Sequence, residues 1–300
     1  MKTFSGTRRA LVTLAGTALA ATLGPISAHA QESGHWSGFY AGVQGGAARG
    51  RLSVQATDTL TQYTNINPPG AQPLTVVPGM LLPLSGRDSR TSVTYGGLVG
   101  WQFQSGPAVF GIEADLRAGR SSVEVQTSDQ ISNTALAPAS TVTRDRSARS
   151  RYEWSARARI GYAPGNTMFY GTAGVAGAHV RVRGDSAYTI PAGNAGVPTT
   201  QPFPAQGPFL VTASETRSLI GWTAGLGIEQ RLGAHLRIGL EGRYTDYGSK
   251  TFALDNPAQT DAGAAAAAPF TAVSGEGAYP GPTRVGLRDA QVNVRLTFAF

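Results

Sequence analysis

The chain contains no cysteine, which excludes a disulfide framework, a thiolate nucleophile and zinc–thiolate coordination. Lysine is nearly absent too: only Lys2 and Lys250 occur, so the net charge of +7 is carried almost wholly by arginine. Charged residues make up 14% of 300 residues, few for an ordinary water-soluble surface. Beyond residue 30 there is no long apolar run, and a membrane-spanning helix needs about 20 consecutive apolar residues. A helical membrane protein is therefore excluded. A transmembrane β-barrel is not, because its strands need only about 10 residues of alternating character.

The start of the chain reads as an export signal. A basic segment (Lys2, Arg8, Arg9) precedes an apolar stretch from Ala10 to about Ile26, and the small-residue tripeptide Ala28-His29-Ala30 follows. Residues 1–30 are expected to be a cleaved signal peptide and residues 31–300 a single barrel domain. Gly16, Gly24 and Pro25 interrupt the stretch and argue against an uncleaved anchor.

Successive strand side chains point to opposite faces, so every second residue is the informative one. Near the C-terminus, Val292, Val294, Leu296 and Phe298 alternate with Asn293, Arg295 and Thr297. The same division separates Ile238 and Leu240 from Arg237 and Glu241, Trp222 and Leu226 from Thr223 and Glu229, and Trp154 and Ile160 from Glu153 and Arg159. Ile112 and Leu116 likewise oppose Glu113 and Asp115, and Val99 and Trp101 oppose Gly100 and Gln102. Segments 39–49 and 168–183 are glycine-rich and alternate less cleanly. The polar face mixes glycine with single charges, which suits a narrow lumen better than a second apolar layer.

Connection lengths give the topology. Ser105-Gly106-Pro107, Pro164-Gly165-Asn166 and Gly233-Ala234 are tight turns, whereas about Arg51–Arg90, Gln126–Ala148, Gly184–Ala213 and Gly248–Arg284 are long connections rich in Ala, Pro, Gly and Thr. The expected fold is all-β: an eight-stranded antiparallel up-and-down transmembrane barrel with short periplasmic turns and four long, largely mobile extracellular loops. Phe39, Phe103, Phe110, Tyr162, Phe169 and Phe298 fall at the turn-side ends of the strands, and Tyr95, Trp154 and Tyr244 toward the loop side, as two interfacial girdles would.

The segment Trp36-Ser37-Gly38-Phe39-Tyr40-Ala41-Gly42-Val43, the strand Phe169-Tyr170-Gly171-Thr172-Ala173-Gly174-Val175-Ala176 and the ending Val294-Arg295-Leu296-Thr297-Phe298-Ala299-Phe300 resemble the alphaproteobacterial outer-membrane β-barrel family of porin-like surface antigens. The resemblance implies an OmpA-type eight-stranded barrel in the outer membrane. Phe298 and Phe300 are similar to the signal by which the barrel-assembly machinery recognises its clients. The long loops depart from the family, so a relative's partners do not transfer.

Catalytic chemistry finds little support. His35, His179 and His235 lack metal-ligand spacing, no serine sits in a nucleophile elbow, and His179, Asp185 and Ser186 read as a solvated rim. No enzyme activity, cofactor, metal or nucleic acid is expected. The lumen is more informative: Glu113, Asp115, Arg157, Arg159, Glu241, Arg243 and Arg295 share a depth on the inward face. They form either an ionic plug that supports the barrel or the constriction of a small pore. A second set, Arg49, Arg51, Arg87, Arg90, Arg120, Arg144, Arg146, Arg149, Arg181, Arg183, Arg217, Arg284 and Arg288, lies near the loop-side strand ends. It is expected to form a basic collar on lipopolysaccharide phosphates, because guanidinium pairs well with phosphate. Arg183-Gly184-Asp185 spells an integrin-recognition tripeptide at the start of the third loop, a weak lead toward a host surface ligand. The function expected is a structural, envelope-stabilising surface antigen, with a small channel or a host-binding receptor as the alternative.

Overall fold

A computed structural model describes residues 36–63, 76–131, 140–190, 206–254, 258–261 and 277–300. The export signal expected over residues 1–30, and His35, lie outside the described residues.

Eight long strands form the wall: β1 (Gly38–Tyr63), β2 (Val76–Ser105), β3 (Ala108–Ile131), β4 (Ser140–Tyr162), β5 (Thr167–Ile190), β6 (Gln206–Arg231), β7 (Leu236–Phe252) and β10 (Thr283–Ala299). Each pairs antiparallel with its neighbour, and β10 closes the ring on β1 from Tyr40–Ala299 to Ala56–Thr283. Two short strands, β8 (Ala258–Asp261) and β9 (Gly277–Tyr279), attach to β6 and β1. Closure leaves the ring no edge, the requirement for sheet in lipid.

The expected loops are corrected. Crossing a bilayer takes about 9–11 residues per strand, yet β2 runs for 30 residues and β1 for 26. Much of the first three presumed loops is paired strand: past one register shift in each ladder, β1 and β2 stay paired as far as Tyr63–Val76, and β3 and β4 as far as Ile131–Ser140. The alternation continues in these extensions, but its faces exchange. In the lower part of β1 the exposed side chains are Phe39 and Val43 and the buried ones Tyr40 and Gln44. Farther up, Leu52, Val54 and Leu60 are buried while Arg49, Arg51 and Gln55 are exposed. Lipid demands an apolar exterior below and water a polar one above, so the interior changes character in step.

The exchange creates a second core. Leu52, Val54, Val180, Val182, Leu219, Tyr247, Phe252, Val285 and Leu287 pack together above the charged lumen. The β2–β3 rungs end at Thr94–Gly119 and the β6–β7 rungs at Trp222–Asp246, so beyond them the wall divides into a β7–β10–β1–β2 sheet and a β3–β4–β5–β6 sheet. This core lies between the two. Burial of this kind stabilises by roughly 25 cal/mol for each Å² of apolar surface removed from water.

The aromatic girdles match expectation. Phe39, Phe103, Phe110, Tyr162, Phe169 and Phe298 are exposed on the outer face at the turn side, and Tyr95, Trp154 and Tyr244 at the other end, with Tyr152 and Trp222.

Candidate functional site

The inward positions of β3, β4, β7 and β10 bring all seven predicted lumen charges together. Arg157 is the hub on one side: its guanidinium pairs with Glu113, with Asp115 at 3.1 Å and with Glu241 at 2.7 Å, and donates to Thr172 Oγ1 at 3.1 Å. Arg295 reaches the same two glutamates from the opposite wall. Arg243 joins Asp115 at 3.1 Å to Glu241 at 2.7 Å. Arg159 pairs with Glu229 and lies 3.7 Å from Glu113.

Two tyrosines escape sequence reasoning, whereas Glu153, Glu229 and Arg237 join the network from the polar face that the alternation assigns them. Tyr40 donates its hydroxyl to Glu113 at 2.9 Å and Tyr170 donates to Glu241 at 3.1 Å. The Arg159 guanidinium lies 3.8 Å from the Tyr170 ring centroid, a cation–π contact. Arg117 pairs with Asp115 and Glu153, both at 3.2 Å, and Arg237 stands 4.0 Å from Glu229. Among the described residues of this lower interior there are six buried carboxylates (Glu113, Asp115, Glu153, Glu229, Glu241, Asp289) and six buried guanidiniums (Arg117, Arg157, Arg159, Arg237, Arg243, Arg295), all ion-paired except Asp289, which accepts from the Gln291 side-chain amide. Desolvating one ion costs several kcal/mol, and the cost is offset only when each ion has good partners. Equal numbers make that possible.

The network has an internal two-fold pattern. Tyr40 of β1, Gly100 of β2, Glu113 of β3 and Arg157 of β4 correspond to Tyr170 of β5, Gly227 of β6, Glu241 of β7 and Arg295 of β10. In both halves the tyrosine ring lies over the glycine, where a Cβ would run into it. The repeat is visible in Phe39-Tyr40 and Phe169-Tyr170, and in Gly111-Ile112-Glu113 and Gly239-Leu240-Glu241.

Further layers lie below and above. Trp36 is fully buried in the turn-side mouth with Val109, Ala163, Met168 and Tyr170. Its indole N–H donates to the Gly165 carbonyl at 3.1 Å, its carbonyl accepts from Gln102 at 2.7 Å, and the Arg237 guanidinium lies 4.9 Å from its ring centroid. Above the network comes the apolar core of the extensions. Higher still, Asp58 pairs with Arg146 and lies 3.5 Å from Arg144, which also pairs with Asp129.

That last cluster corrects the collar. Arg144 and Arg146 are buried inside the extension, not presented to lipid. Arg49, Arg51, Arg87, Arg90, Arg149, Arg181, Arg183, Arg284 and Arg288 are exposed. Arg217 is half-buried and paired with Glu215, and the Arg120 side chain lies outside the described residues. The tripeptide Arg183-Gly184-Asp185 is also relocated: it lies within β5, paired on both sides, rather than opening a loop. Arg183 pairs with Asp185 at 2.7 Å, and Thr212 donates to the same carboxylate at 2.7 Å.

The rim residues do not converge. His179 is on the outer face 3.2 Å from Ser218, whereas Ser186 is buried inside and donates to the Ala278 carbonyl. His235 lies at the turn side, 2.8 Å from the Ala299 carbonyl and stacked on Phe298. Phe298 and Phe300 are exposed, and the Phe300 N–H donates to the Phe39 carbonyl at 2.9 Å.

Comparison with known proteins agrees with this architecture. The chain is 28% identical over 171 residues to a 22 kDa outer membrane protein of Rhizobium leguminosarum, covering 56% of this chain and 59% of that protein. It is 29% identical over 159 residues to the 25 kDa outer-membrane immunogenic protein of Brucella abortus, covering 53% and 54%. The chain thus spans little more than half the length of these relatives. Among solved structures, Ail, the attachment invasion locus protein of Yersinia pestis, aligns with 12% identity over 86% of this chain and 99% of its own, with a TM-score of 0.26. The outer membrane protease OmpT of Escherichia coli aligns with 8% identity over 91% and 99%, with a TM-score of 0.39. At those scores neither likeness bears on activity. The family described as Outer membrane protein beta-barrel domain matches residues 17–270. The chain belongs to that family, and it is an outer membrane protein similar to those of alphaproteobacteria.

Proposed function

We propose that the protein is a structural element of the outer membrane that stabilises the envelope and presents its extracellular strands as a surface antigen, without catalysis and without transport through its lumen. The observation that carries this reading is the filling of the interior by successive layers: Trp36 and its neighbours, the twelve-charge network, the apolar core and the Asp58 cluster. An eight-stranded barrel is just wide enough for side chains to fill it. A polar lumen crosslinked by ion pairs holds opposite walls together, which suits a mechanical role. The immunogenic naming of the Brucella relatives supports the antigen part.

A deletion strain tests the reading. Loss of the protein should raise sensitivity to detergents while uptake of small hydrophilic solutes stays unchanged. Unaltered detergent resistance together with slower solute uptake would overturn it in favour of a small channel.

A further inference from the structure

The outward-facing arginines are less fully matched by carboxylates than those of the lumen: Arg183 and Arg288 each pair with one, whereas Arg51 and Arg149 pair with none among the described residues. Arg51 stands directly opposite Arg288 on the β1–β10 ladder, and Arg149 directly opposite Arg181 on the β4–β5 ladder. All four are exposed. Like charges directly opposite in a sheet repel, and the chain does little to relieve them. Arg51 and Arg149 have no hydrogen-bond or ion-pair partner among the described residues. Arg181 donates to Ser214 Oγ at 3.3 Å, and Arg288 pairs with Asp246 at 3.0 Å.

The two pairs are related by the same internal two-fold as the lumen. Arg51 follows Tyr40 by 11 residues, and Arg181 follows Tyr170 by 11 residues. In the ring, the β10–β1 and β4–β5 ladders lie on opposite sides. A repulsive pair that occurs twice at equivalent places points to an anion that binds there twice.

We infer that Arg51–Arg288 and Arg149–Arg181 are two clamps for the phosphate groups of an outer-leaflet glycolipid. Two planar guanidiniums offer a phosphate monoester several charge-assisted hydrogen bonds in bidentate geometry. Their height favours a lipid over a soluble anion. On β10 the outward residues Phe298, Leu296, Val294 and Val292 precede Arg288, so the apolar stretch matches a band about 25 Å tall and the arginine stands at its upper margin. The β4–β5 pair adjoins exposed Tyr152, an interfacial aromatic. The β1–β10 pair opens into a groove of about 950 Å³ that also contains Arg49, Arg87 and the exposed ring of Tyr244. Of the four guanidiniums there Arg288 pairs with Asp246; Asp88 also lines the groove, and Asp289, at its base, is buried and turned toward the lumen.

The experiment uses the full-length barrel in nanodiscs, with bis-phosphorylated lipid A and fully dephosphorylated lipid A as probes and native mass spectrometry as readout. Arg51→Gln/Arg288→Gln and Arg149→Gln/Arg181→Gln should each weaken binding of the phosphorylated lipid about tenfold and leave binding of the dephosphorylated lipid unchanged. Heat-modifiable gel migration establishes that the variants are folded. The corresponding Lys pairs, which keep charge without the planar fork, should bind better than the Gln pairs and less well than the parent, and they serve as the test if a Gln pair does not fold. Stability gives a second readout that a merely solvating arginine would not produce. In glycolipid-free detergent the Gln pairs should melt above the parent, since repulsion is gone; with phosphorylated lipid A present they should melt below it. Equal binding by folded variants and parent, or displacement of lipid A by equimolar inorganic phosphate, would overturn the inference.

Discussion

Replacing Arg157 with methionine removes the guanidinium that holds Glu113, Asp115 and Glu241 together, while keeping most of the side-chain volume. Five buried guanidiniums would then face six carboxylates. Breaking a buried ion pair by deleting one partner costs about 3–5 kcal/mol, because the charge left behind stays desolvated. That is roughly a hundredfold or more in the folding equilibrium. Urea unfolding in detergent micelles, followed by tryptophan fluorescence and heat-modifiable migration, measures the loss. Arg151, exposed at a bulge of β4, is the control: its replacement by methionine should change stability by less than about 0.5 kcal/mol. Adding Glu113→Gln to Arg157→Met should cost less than the two single changes together, since it removes the stranded charge. If Arg157→Met unfolds within about 1 kcal/mol of the parent, the network does not brace the barrel, and the reasoning fails.

Other predictions follow from burial and from the extended strands. Brominated lipids should quench Trp101, Trp154 and Trp222, which are exposed on the outer face, and spare buried Trp36; residual fluorescence that survives Trp36→Phe would contradict the assignment. Outside the bilayer, burial together with the facing carboxylates Glu124 and Asp185 pushes Asp145 from 3.8 up to about 6 despite neighbouring Arg146. A carboxyl raised on folding contributes stability below pH 3.8 that is lost as pH rises through about 6, so Asp145→Asn should flatten thermal stability between pH 4 and 7, and an unchanged profile would refute the shift. Asp185→Glu should leave host-cell adhesion unchanged, because Arg183 and Asp185 are held to each other in a paired strand rather than displayed on a loop tip; a drop in adhesion would contradict this.

The membrane-spanning strands were legible because lipid enforces one rule along each of them. Ile238 and Leu240 must face out, so Glu241 and Arg243 must face in, and that parity located all seven lumen charges. Height along a strand is also readable, but parity survives only as far as the first bulge. The register shift between Ser150 and Tyr152 is why Arg144 and Arg146, at even positions like exposed Tyr152 and Trp154, turn inward instead of joining the collar. Segments 39–49 and 168–183 alternated poorly because glycine holds inward positions at Gly42, Gly46 and Gly174, and because polarity exchanges faces farther up each strand. The Pro and Thr content of the extensions reads as loop, although Leu52, Val54 and Leu60 carry a period-two signal with the opposite sense. Tyr40 and Tyr170 are hidden beside Phe39 and Phe169: an adjacent aromatic pair must split between lipid and lumen, and at an interface that also accepts Tyr162 on its outer face, residue type alone does not mark which ring turns inward.

Single-channel recording of the purified barrel in planar bilayers tests the closed lumen most directly. The packed interior predicts a silent membrane at all voltages that the bilayer withstands, for the parent and for Trp36→Ala alike, since the network and the apolar core remain behind Trp36. Steady, reproducible conductance steps from the parent protein would contradict the account.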